Sequence, residues 1–284
     1  MPPTVQEQIQ IYTEDWWSNP KRHIDKGASE STFTGHYQNF FHRLQTMADG
    51  LKYDTITPEL LTIAINTYDV GTQQRCRAAG VYKNLADLLG VPIPKYFAEE
   101  AGAYDKKNKR ERYIPTDKEI FDVWEKLPET GFQGMPVKLM YSLGACFGLR
   151  THETLLIDVS RIKEKGIVVV DDQCKTGSRI VYSLPPSWID QFGIRNIKQS
   201  DLPKVKDRRE SGHLATKVYY YCKEMPFPGY SLRHAYAIRS IRLDVKPQIA
   251  CKLMGHSLDV HTRTYHSWLT ENEFDLNLAH LQDL

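Results

Sequence analysis

The sequence lacks three features that mark several classes of protein. Its 284 residues contain five cysteines, an odd number without a CxxC pair, which argues against a disulfide framework and a structural zinc site. The ten histidines show no ligand cluster along the chain, so neither a metal nor a cofactor is expected. The longest purely aliphatic run, Ile167 to Val170, is far too short to cross a membrane.

The N-terminus also lacks the apolar segment of a secretory signal, so the protein is expected to stay where it is made. Net charge is only +2, which gives little indication of a nucleic-acid partner. The distribution of charge says more, because residues 106–112 read KKNKRER. Such a run is typical of a solvated linker. Its basic residues are also candidates for contact with DNA, and they are Lys106, Lys107, Lys109, Arg110 and Arg112.

The first hundred residues have apolar side chains at helical spacing, as in Val5, Ile9, Tyr12 and Trp16. The same pattern recurs in Phe33, Tyr37, Phe40, Phe41, Leu44 and Met47. Thr57-Pro58-Glu59 predicts the start of a helix, and a further helix is predicted from Thr72 to Leu89. This part of the chain is therefore predicted to be a helical domain.

The pattern changes after the basic segment. Thr116 and Glu119 form a capping box, and Val137 to Leu149 is apolar nearly all round, which predicts a buried helix. Two β-branched runs, Ile167 to Val170 and Arg179 to Tyr182, flank a polar turn. With Arg161 to Lys163 as a first strand, they predict a small three-stranded antiparallel sheet. From His213 onward the spacing is helical again.

Five short segments contain residue types that suit chemistry at a phosphate. They are Gly148-Leu149-Arg150-Thr151-His152-Glu153, Lys175-Thr176-Gly177, Tyr230-Ser231-Leu232-Arg233-His234, Met254-Gly255-His256 and Thr264-Tyr265-His266. Each has an ordinary explanation alone: an Arg at a helix end is usually a surface or capping residue, and a Lys in a turn is usually solvated. Their joint order and spacing distinguishes them.

In that order the segments resemble the tyrosine recombinases, also called lambda-type integrases. Members of this family carry GLRxxE, a hairpin Lys-Thr-Gly, HxLRH, an LGHxx box and a Tyr nine residues after the His of that box. All five motifs have counterparts here between Gly148 and Tyr265, and five in register are far more specific than any one. The fold resemblance is expected to cover the whole chain.

The resemblance implies a mainly α-helical fold with a small antiparallel sheet (α+β), arranged as a two-domain clamp on double-stranded DNA. Residues 1–105 would form a helical core-type DNA-binding domain, 106–112 a basic linker and 113–284 the catalytic domain with a C-terminal helix. The protein would be a cytoplasmic, nucleoid-associated enzyme of a prokaryote or phage. The N-terminal stretch is too short for an additional arm-type DNA-binding domain, so none is expected.

The resemblance also implies roles at the phosphate. Arg150 and Arg233 would bind the non-bridging oxygens through paired N–H groups, a geometry that Lys does not match. Lys175 would protonate the leaving 5′-oxygen, and Tyr265 would form a 3′-phosphotyrosine without ATP or metal. Glu153 is expected to orient its neighbours. The expected catalytic residues are therefore Arg150, Lys175, Tyr230, Arg233, His256 and Tyr265.

One position departs from the family pattern, because Tyr230 stands where the family usually has His. A minority branch, which includes excision recombinases of cyanobacterial DNA elements, also has Tyr there. Histidine exchanges protons near neutral pH, whereas tyrosine donates a hydrogen bond but is a poor base. Tyr230 would then bond a phosphate oxygen or the nucleophile, with base assistance left to water or Lys175. Alternatively, Tyr230 only packs, and the site lacks one member.

The C-terminal residues predict another helix, because Thr270 and Glu273 form a capping box before Phe274, Leu278 and Leu281. This helix packs either on its own domain or, as the resemblance implies, on a neighbouring subunit. The family carries out strand exchange within a tetramer through a Holliday junction. The expected partners are therefore double-stranded DNA, further copies of the chain and possible accessory DNA-bending proteins, with no membrane involved.

Two alternatives remain open at this point. A type IB topoisomerase shares the chemistry, although its nucleophile typically follows an SKxxY pattern, whereas Tyr265 follows Thr262-Arg263-Thr264. Relaxation of supercoiled DNA without a recognition site would favour it. A catalytically inactive relative that only binds DNA is the second alternative, and Tyr230 is the feature that points to it.

Overall fold

The computed structural model describes residues 2–19, 33–94, 97, 113–174, 176–221 and 226–265. The chain folds as two compact units, Met1–Glu111 and Arg112–Leu284. The predicted linker at 106–112 and the predicted helix after Thr270 lie outside the described residues.

The N-terminal unit is helical, as its apolar periodicity predicts. Thr57 caps α3 with its side chain, which accepts from Leu60 N–H, and Thr72 caps α4 in the same way. Gly90 ends α4 with φ +67°, in the left-handed conformation that glycine tolerates best. A short π-helix at Phe33–Tyr37 leads into α2. The helices are α1 Val5–Ser18, α2 Gln38–Leu51, α3 Pro58–Asn66 and α4 Gln73–Leu89.

Aromatic side chains fill much of the core of this unit. Trp16 packs against Phe33 with ring centroids 4.6 Å apart, and Tyr12 meets Phe41 edge to face at 5.3 Å. The hydroxyl of Tyr82 in α4 donates to the Phe40 carbonyl at 3.0 Å, which ties α4 to α2. The aromatic residues that recur at helical spacing in the sequence therefore form much of the hydrophobic core of the N-terminal unit.

The C-terminal unit combines helices with one small sheet. Thr116 and Glu119 form the predicted capping box at the start of its first helix. The elements are α5 Asp117–Lys126, α6 Val137–Phe147, β1 Ile157–Asp158, α7 Ile162–Lys165, β2 Ile167–Val170, β3 Arg179–Tyr182, α8 Trp188–Gln191, α9 Arg208–Tyr220, α10 Ser231–Arg242, α11 Pro247–Met254 and α12 Leu258–Tyr265.

The sheet has the order β1-β2-β3, and both strand pairs are antiparallel. The predicted strands β2 and β3 are confirmed, with Ile167 paired to Tyr182 and Val170 to Arg179. The predicted first strand at Arg161–Lys163 is wrong, because that segment belongs to a short helical turn and β1 lies at Ile157–Asp158. Alternation over three residues is too short to distinguish a strand from one turn of helix.

The core of the C-terminal unit forms around α6, where every residue from Met140 to Phe147 is buried. Helix α10 packs against α6, and the ring of Tyr236 lies where a Cβ at Gly148 would be, 2.5 Å away. Helix α11 contacts β3, and α12 packs on α11. The predicted mainly α-helical fold with a small antiparallel sheet is thereby confirmed. No helix among the described residues combines the length and apolar character that a membrane span requires.

Candidate active site

Arg150 lies just beyond the end of α6, after Gly148 and Leu149. Gly148 ends that helix with φ +59°, and its lack of a side chain leaves room for the ring of Tyr236. The chain therefore turns sharply at Gly148 and directs Arg150 toward the end of α11. There the Nη2 group of Arg150 donates to the carbonyl of Gly255 at 2.6 Å.

Glu153 holds Arg150 from the other side. The Arg150 Nη1 group donates to Glu153 Oε1 at 2.7 Å, and the Arg150 backbone N–H donates to Oε2 at 2.8 Å. Arg179 in β3 binds both oxygens of the same carboxylate, at 3.0 and 2.6 Å. The Glu153 side chain is fully buried. The expectation that Glu153 orients its neighbours agrees with these contacts.

The electrostatics of Glu153 follow from this pairing. Burial of the carboxyl by itself raises its pKa. The hydrogen bonds and charge of Arg179, followed by those of Arg150, outweigh burial and lower the pKa of Glu153 to about 2. The carboxylate therefore stays charged at neutral pH and binds two arginines at once.

Arg233 lies in the first turn of α10 and is 3% exposed. It donates to the carbonyl of Gly148 at 2.7 Å and to the carbonyl of Met254. Arg150 and Arg233 are thus fastened to consecutive carbonyls, those of Gly255 and Met254. Burial, followed by the charge of Arg150, lowers the pKa of Arg233 to about 10, which still leaves it cationic at neutral pH.

Gly255 sets the conformation of the turn whose carbonyls accept hydrogen bonds from these two arginines. Its φ is +61°, and a Cβ there would lie 2.7 Å from Thr176 Oγ1. Thr176 belongs to the turn between β2 and β3, so this hairpin packs directly over the end of α11. Thr176 Oγ1 also accepts from Arg150 and Arg179, at 3.2 and 3.3 Å. Glycine at position 255 permits this close approach.

His256 follows this turn and points its ring toward both Arg233 and His261. Its Nδ1 lies 3.5 Å from Arg233 Nη2, and its Nε2 lies 3.0 Å from His261 Nδ1. Burial, followed by the charges of Arg233, His261, Arg150 and Arg179, lowers the pKa of His256 to about 4. The imidazole is therefore neutral at physiological pH in the absence of a bound anion.

Tyr265 is the last residue of α12 and is buried, with 3% of its surface exposed. Its hydroxyl lies 3.1 Å from Nδ1 of His234, which is itself buried at the start of α10. The rings of His261 and His256 lie 5.0 and 6.2 Å from the Tyr265 ring, centroid to centroid. The tyrosine thus lies among three imidazoles and within electrostatic reach of Arg233.

Tyr230 precedes α10 and is exposed. Its ring meets the ring of His234, one helical turn later, at 5.2 Å in an edge-to-face arrangement. The structure thus places Tyr230 at the rim of the cluster formed by Arg150, Arg233, His256 and Tyr265. Lys175 lies outside the described residues, and so do Lys106, Lys107, Lys109, Arg110 and Arg112.

Two groups of possible metal ligands form in the fold, although the histidines show no ligand cluster along the chain. Donor atoms of Cys251, His256 and His261 lie within 4.8 Å of one another, and the same holds for His152, Glu153 and Cys174. Residues 256 and 261 meet because the Gly255 turn places His256 outside α12. The arginines that lower the pKa of His256 also disfavour a divalent cation at the first group, and Glu153 in the second already binds two arginines. The absence of a metal remains a prediction.

Sequence reasoning missed two residues of this cluster. Arg179 went unrecognised because a single Arg in a short strand gives no sign of the buried carboxylate it binds. His234 was quoted within its motif but given no role. Its separation of four residues from Tyr230 was a signal, because residues at that spacing lie on one face of a helix.

The fold is that of the tyrosine recombinases, and comparison with known proteins confirms the resemblance predicted from the sequence. A lambda integrase dimer bound to a COC′ core site matches with a TM-score of 0.62 and 16% identity, over 92% of this chain and 77% of that one. The Tn1549 transposon integrase in complex with a circular intermediate DNA matches with a TM-score of 0.60 and 10% identity, over 98% and 99% of the two chains.

The chain is also similar in sequence to excisases. Residues 6–98 match the family model described as the XisA/XisC excisase second domain. Excisase A of Nostoc sp. strain PCC 7120 is 28% identical over 94% of this chain and 59% of its own length. Excisase C of the same organism is 28% identical over 45% of this chain and 28% of its own length. The chain thus spans about three fifths of Excisase A, the longer of these two matches.

Proposed function

We propose that this chain is a site-specific DNA recombinase that cuts and rejoins DNA through a covalent bond between Tyr265 and a 3′-phosphate. The observation that carries the proposal is the convergence of Arg150 and Arg233 on consecutive carbonyls beside His256. Three separate segments thereby present cationic and hydrogen-bonding groups at one place, next to a buried tyrosine. The excisase relatives and the integrases solved with DNA support the same function.

The two arginines are suited to a phosphodiester. A guanidinium has five N–H groups, and the hydrogen bonds described for Arg150 and Arg233 leave some of them available to a phosphate oxygen. These groups are held in place by backbone carbonyls and by Glu153, so little reorganisation is needed as charge develops. Preorganised donors of this kind are typically worth roughly 3–4 kcal/mol each in the transition state.

The remaining residues complete a strand-cleavage mechanism. Tyr265 would attack the phosphorus, His256 and Tyr230 would each donate a hydrogen bond to a phosphate oxygen, and Lys175 would protonate the departing 5′-oxygen. A phosphate near His256 would raise its pKa from the low value it has here, which favours the doubly protonated donor. Religation reverses these steps and needs neither ATP nor a metal.

The proposal extends to partners. The basic residues Lys106, Lys107, Lys109, Arg110 and Arg112 would contact DNA phosphates without reading sequence. Strand exchange would take place in a tetramer on DNA through a Holliday junction, with the C-terminal helix docked on a neighbouring copy. Accessory DNA-bending proteins would assist assembly. The protein itself would act in the cytoplasm, at the nucleoid, and would come from a prokaryote or a phage.

Trapping the covalent intermediate tests the function. Protein would be incubated with fragmented DNA of its source genome, denatured, and DNA-linked protein recovered and sequenced. We expect an adduct from the wild type and from Tyr182→Phe, a control that removes an exposed hydroxyl, and none from Tyr265→Phe. No adduct from the wild type on a DNA that it binds tightly would favour the inactive relative. Relaxation of plasmids without a site, over many turnovers, would favour a topoisomerase.

A further inference from the structure

The nucleophile proposed above contacts a histidine to which no role in cleavage has been given. Tyr265 Oη lies 3.1 Å from His234 Nδ1, within hydrogen-bond distance, and only 3% and 7% of the two residues are exposed. Water therefore has little access to this contact. A buried tyrosine that must lose its proton needs an acceptor in place, and an imidazole is well suited to take it near neutral pH.

The other imidazoles near Tyr265 are engaged differently. His256 Nε2 and His261 Nδ1 face each other at 3.0 Å, and His256 Nδ1 faces Arg233. Tyr230 presents its ring to His234, and a phenol is a poor base at neutral pH. Position 230 thus lacks a histidine, but His234 lies one helical turn later and contacts the Tyr230 ring.

We propose that His234 is a further catalytic residue, the general base that accepts the phenolic proton of Tyr265 through Nδ1. The inference rests on the proposed function. In cleavage, the O–H bond of Tyr265 breaks and its proton moves to Nδ1. The bond between Oη and phosphorus forms, and the bond from phosphorus to the 5′-oxygen breaks as that oxygen takes a proton from Lys175. In religation, His234 returns the proton to the departing Tyr265.

Charges around the pair favour this transfer. Among the described residues, the groups that face the pair are Tyr230 just before α10, Arg233 on α10, and His256 and His261 beside Tyr265. Arg233 interacts favourably with ionised Tyr265, since that charge raises the pKa of the guanidinium. The phenolate formed by transfer to His234 would therefore be stabilised until it attacks.

The substitution His234→Asn distinguishes a general base from a residue that only positions Tyr265. The amide side chain in His234→Asn keeps an acceptor oxygen near the place of Nδ1 but cannot take a proton, so this variant retains the hydrogen bond only. We expect single-turnover adduct formation to slow about 100-fold at neutral pH, and His213→Asn, an exposed histidine on α9, to leave it unchanged. Raising the pH should restore part of the rate, because hydroxide can then take the phenolic proton in place of His234. Adduct formation by His234→Asn at the wild-type rate would overturn the proposal.

A substrate with sulfur in place of the bridging 5′-oxygen sharpens the assignment. Its leaving group needs no proton, so it should rescue Lys175→Ala but not His234→Asn. Rescue of both would show that His234 acts on the leaving group and would overturn the base assignment.

A measurement without DNA tests the contact independently of the proposed function. With nitrogen-labelled histidine, NMR should show the neutral His234 ring protonated on Nε2, and Tyr265→Phe should shift its Nδ1 resonance. A proton on Nδ1, or no response to Tyr265→Phe, would contradict the inference even if the wild type formed no adduct. An unreactive wild type with the expected NMR result would instead refute the recombinase and leave the tyrosine–histidine pair established.

Discussion

The two units bury charge in different ways. In the N-terminal unit, Arg75 directs its guanidinium to the carbonyls of Ile65 and Tyr68 and to the Asn66 side chain, all around the end of α3. In the C-terminal unit, Glu153 and Arg233 are buried beside Arg150 and Arg179, so that several charges share one place. The first arrangement completes a helix end, whereas the second assembles a site.

This contrast shows where the C-terminal unit concentrates buried charge. Burying charged groups is costly unless each is paired and hydrogen-bonded, and such clusters commonly persist for a function. A second buried arginine, Arg239, shows the structural use again within that unit, since it binds the Leu184 and Ala145 carbonyls and stacks on Trp188. The cluster around Glu153 is distinguished by its neighbourhood, which includes Tyr265 and two histidines.

The most severe change removes the carboxylate at the centre of the cluster. Glu153→Ala leaves two arginines without their shared partner, and we expect a loss of about 3–5 kcal/mol in the free energy of unfolding. Chemical denaturation would measure it. The matched control is Glu129→Ala, whose carboxylate pairs with Lys138 but is 81% exposed, and which should change stability little. Equal losses for the two variants would show that Glu153 is not the anchor of the cluster.

Acid should destabilise the two units at different pH values. Burial lowers the pKa values of His152 and His256 to about 4, and at His256 the charges of nearby arginines add to this effect. At Glu153 burial raises the pKa, but the bound arginines outweigh it and lower the pKa to about 2. The ordinary pKa values of these side chains are 6.5 for histidine and 4.5 for glutamate. The unfolded chain therefore takes up protons first, so the C-terminal unit should lose stability as pH falls from about 6.5 toward about 2.

Hydrogen exchange followed by mass spectrometry at stepwise lower pH, corrected for intrinsic exchange, would resolve the two units. In the N-terminal unit the lowered carboxyl pKa among the described residues is that of exposed Glu7, set by its hydrogen bonds to Thr4. Protection there should therefore persist to lower pH. Parallel loss of protection in both units would contradict this difference, and Glu153→Gln should remove part of the acid response of the C-terminal unit.

The smallest effect is expected for Arg75, the arginine that binds the end of α3. Arg75→Met keeps the aliphatic packing but removes the donors to the end of α3, which should cost about 1–3 kcal/mol without changing DNA cleavage. Arg77→Met, on the exposed face of the same helix, is the control. Thermal unfolding and the adduct assay together provide the measurement. A loss of cleavage in Arg75→Met at a temperature where the protein is folded would show that the N-terminal arginine also serves the site.

Local signals in the sequence predicted much of the fold. Thr57-Pro58, Thr72 and the Thr116–Glu119 box each act within a few residues, so the helices they begin were predictable. The first strand was not, because β1 has two residues and pairs with β2 through contacts distant in sequence. Short strands carry too little periodicity to be recognised before their partner is known.

The amino-acid sequence alone was enough to predict which segments would carry the proposed chemistry and in what order, because spacing such as the nine residues from His256 to Tyr265 is a property of the chain. How these segments meet depends on the folded structure. Arg179 binds Glu153 across 26 positions, and His234 reaches Tyr265 across 31. Hydrogen bonds of this kind depend on distances of about 3 Å between side chains. Those distances are set by the packing of α6, α10, α11, α12 and β3 around the Gly255 turn.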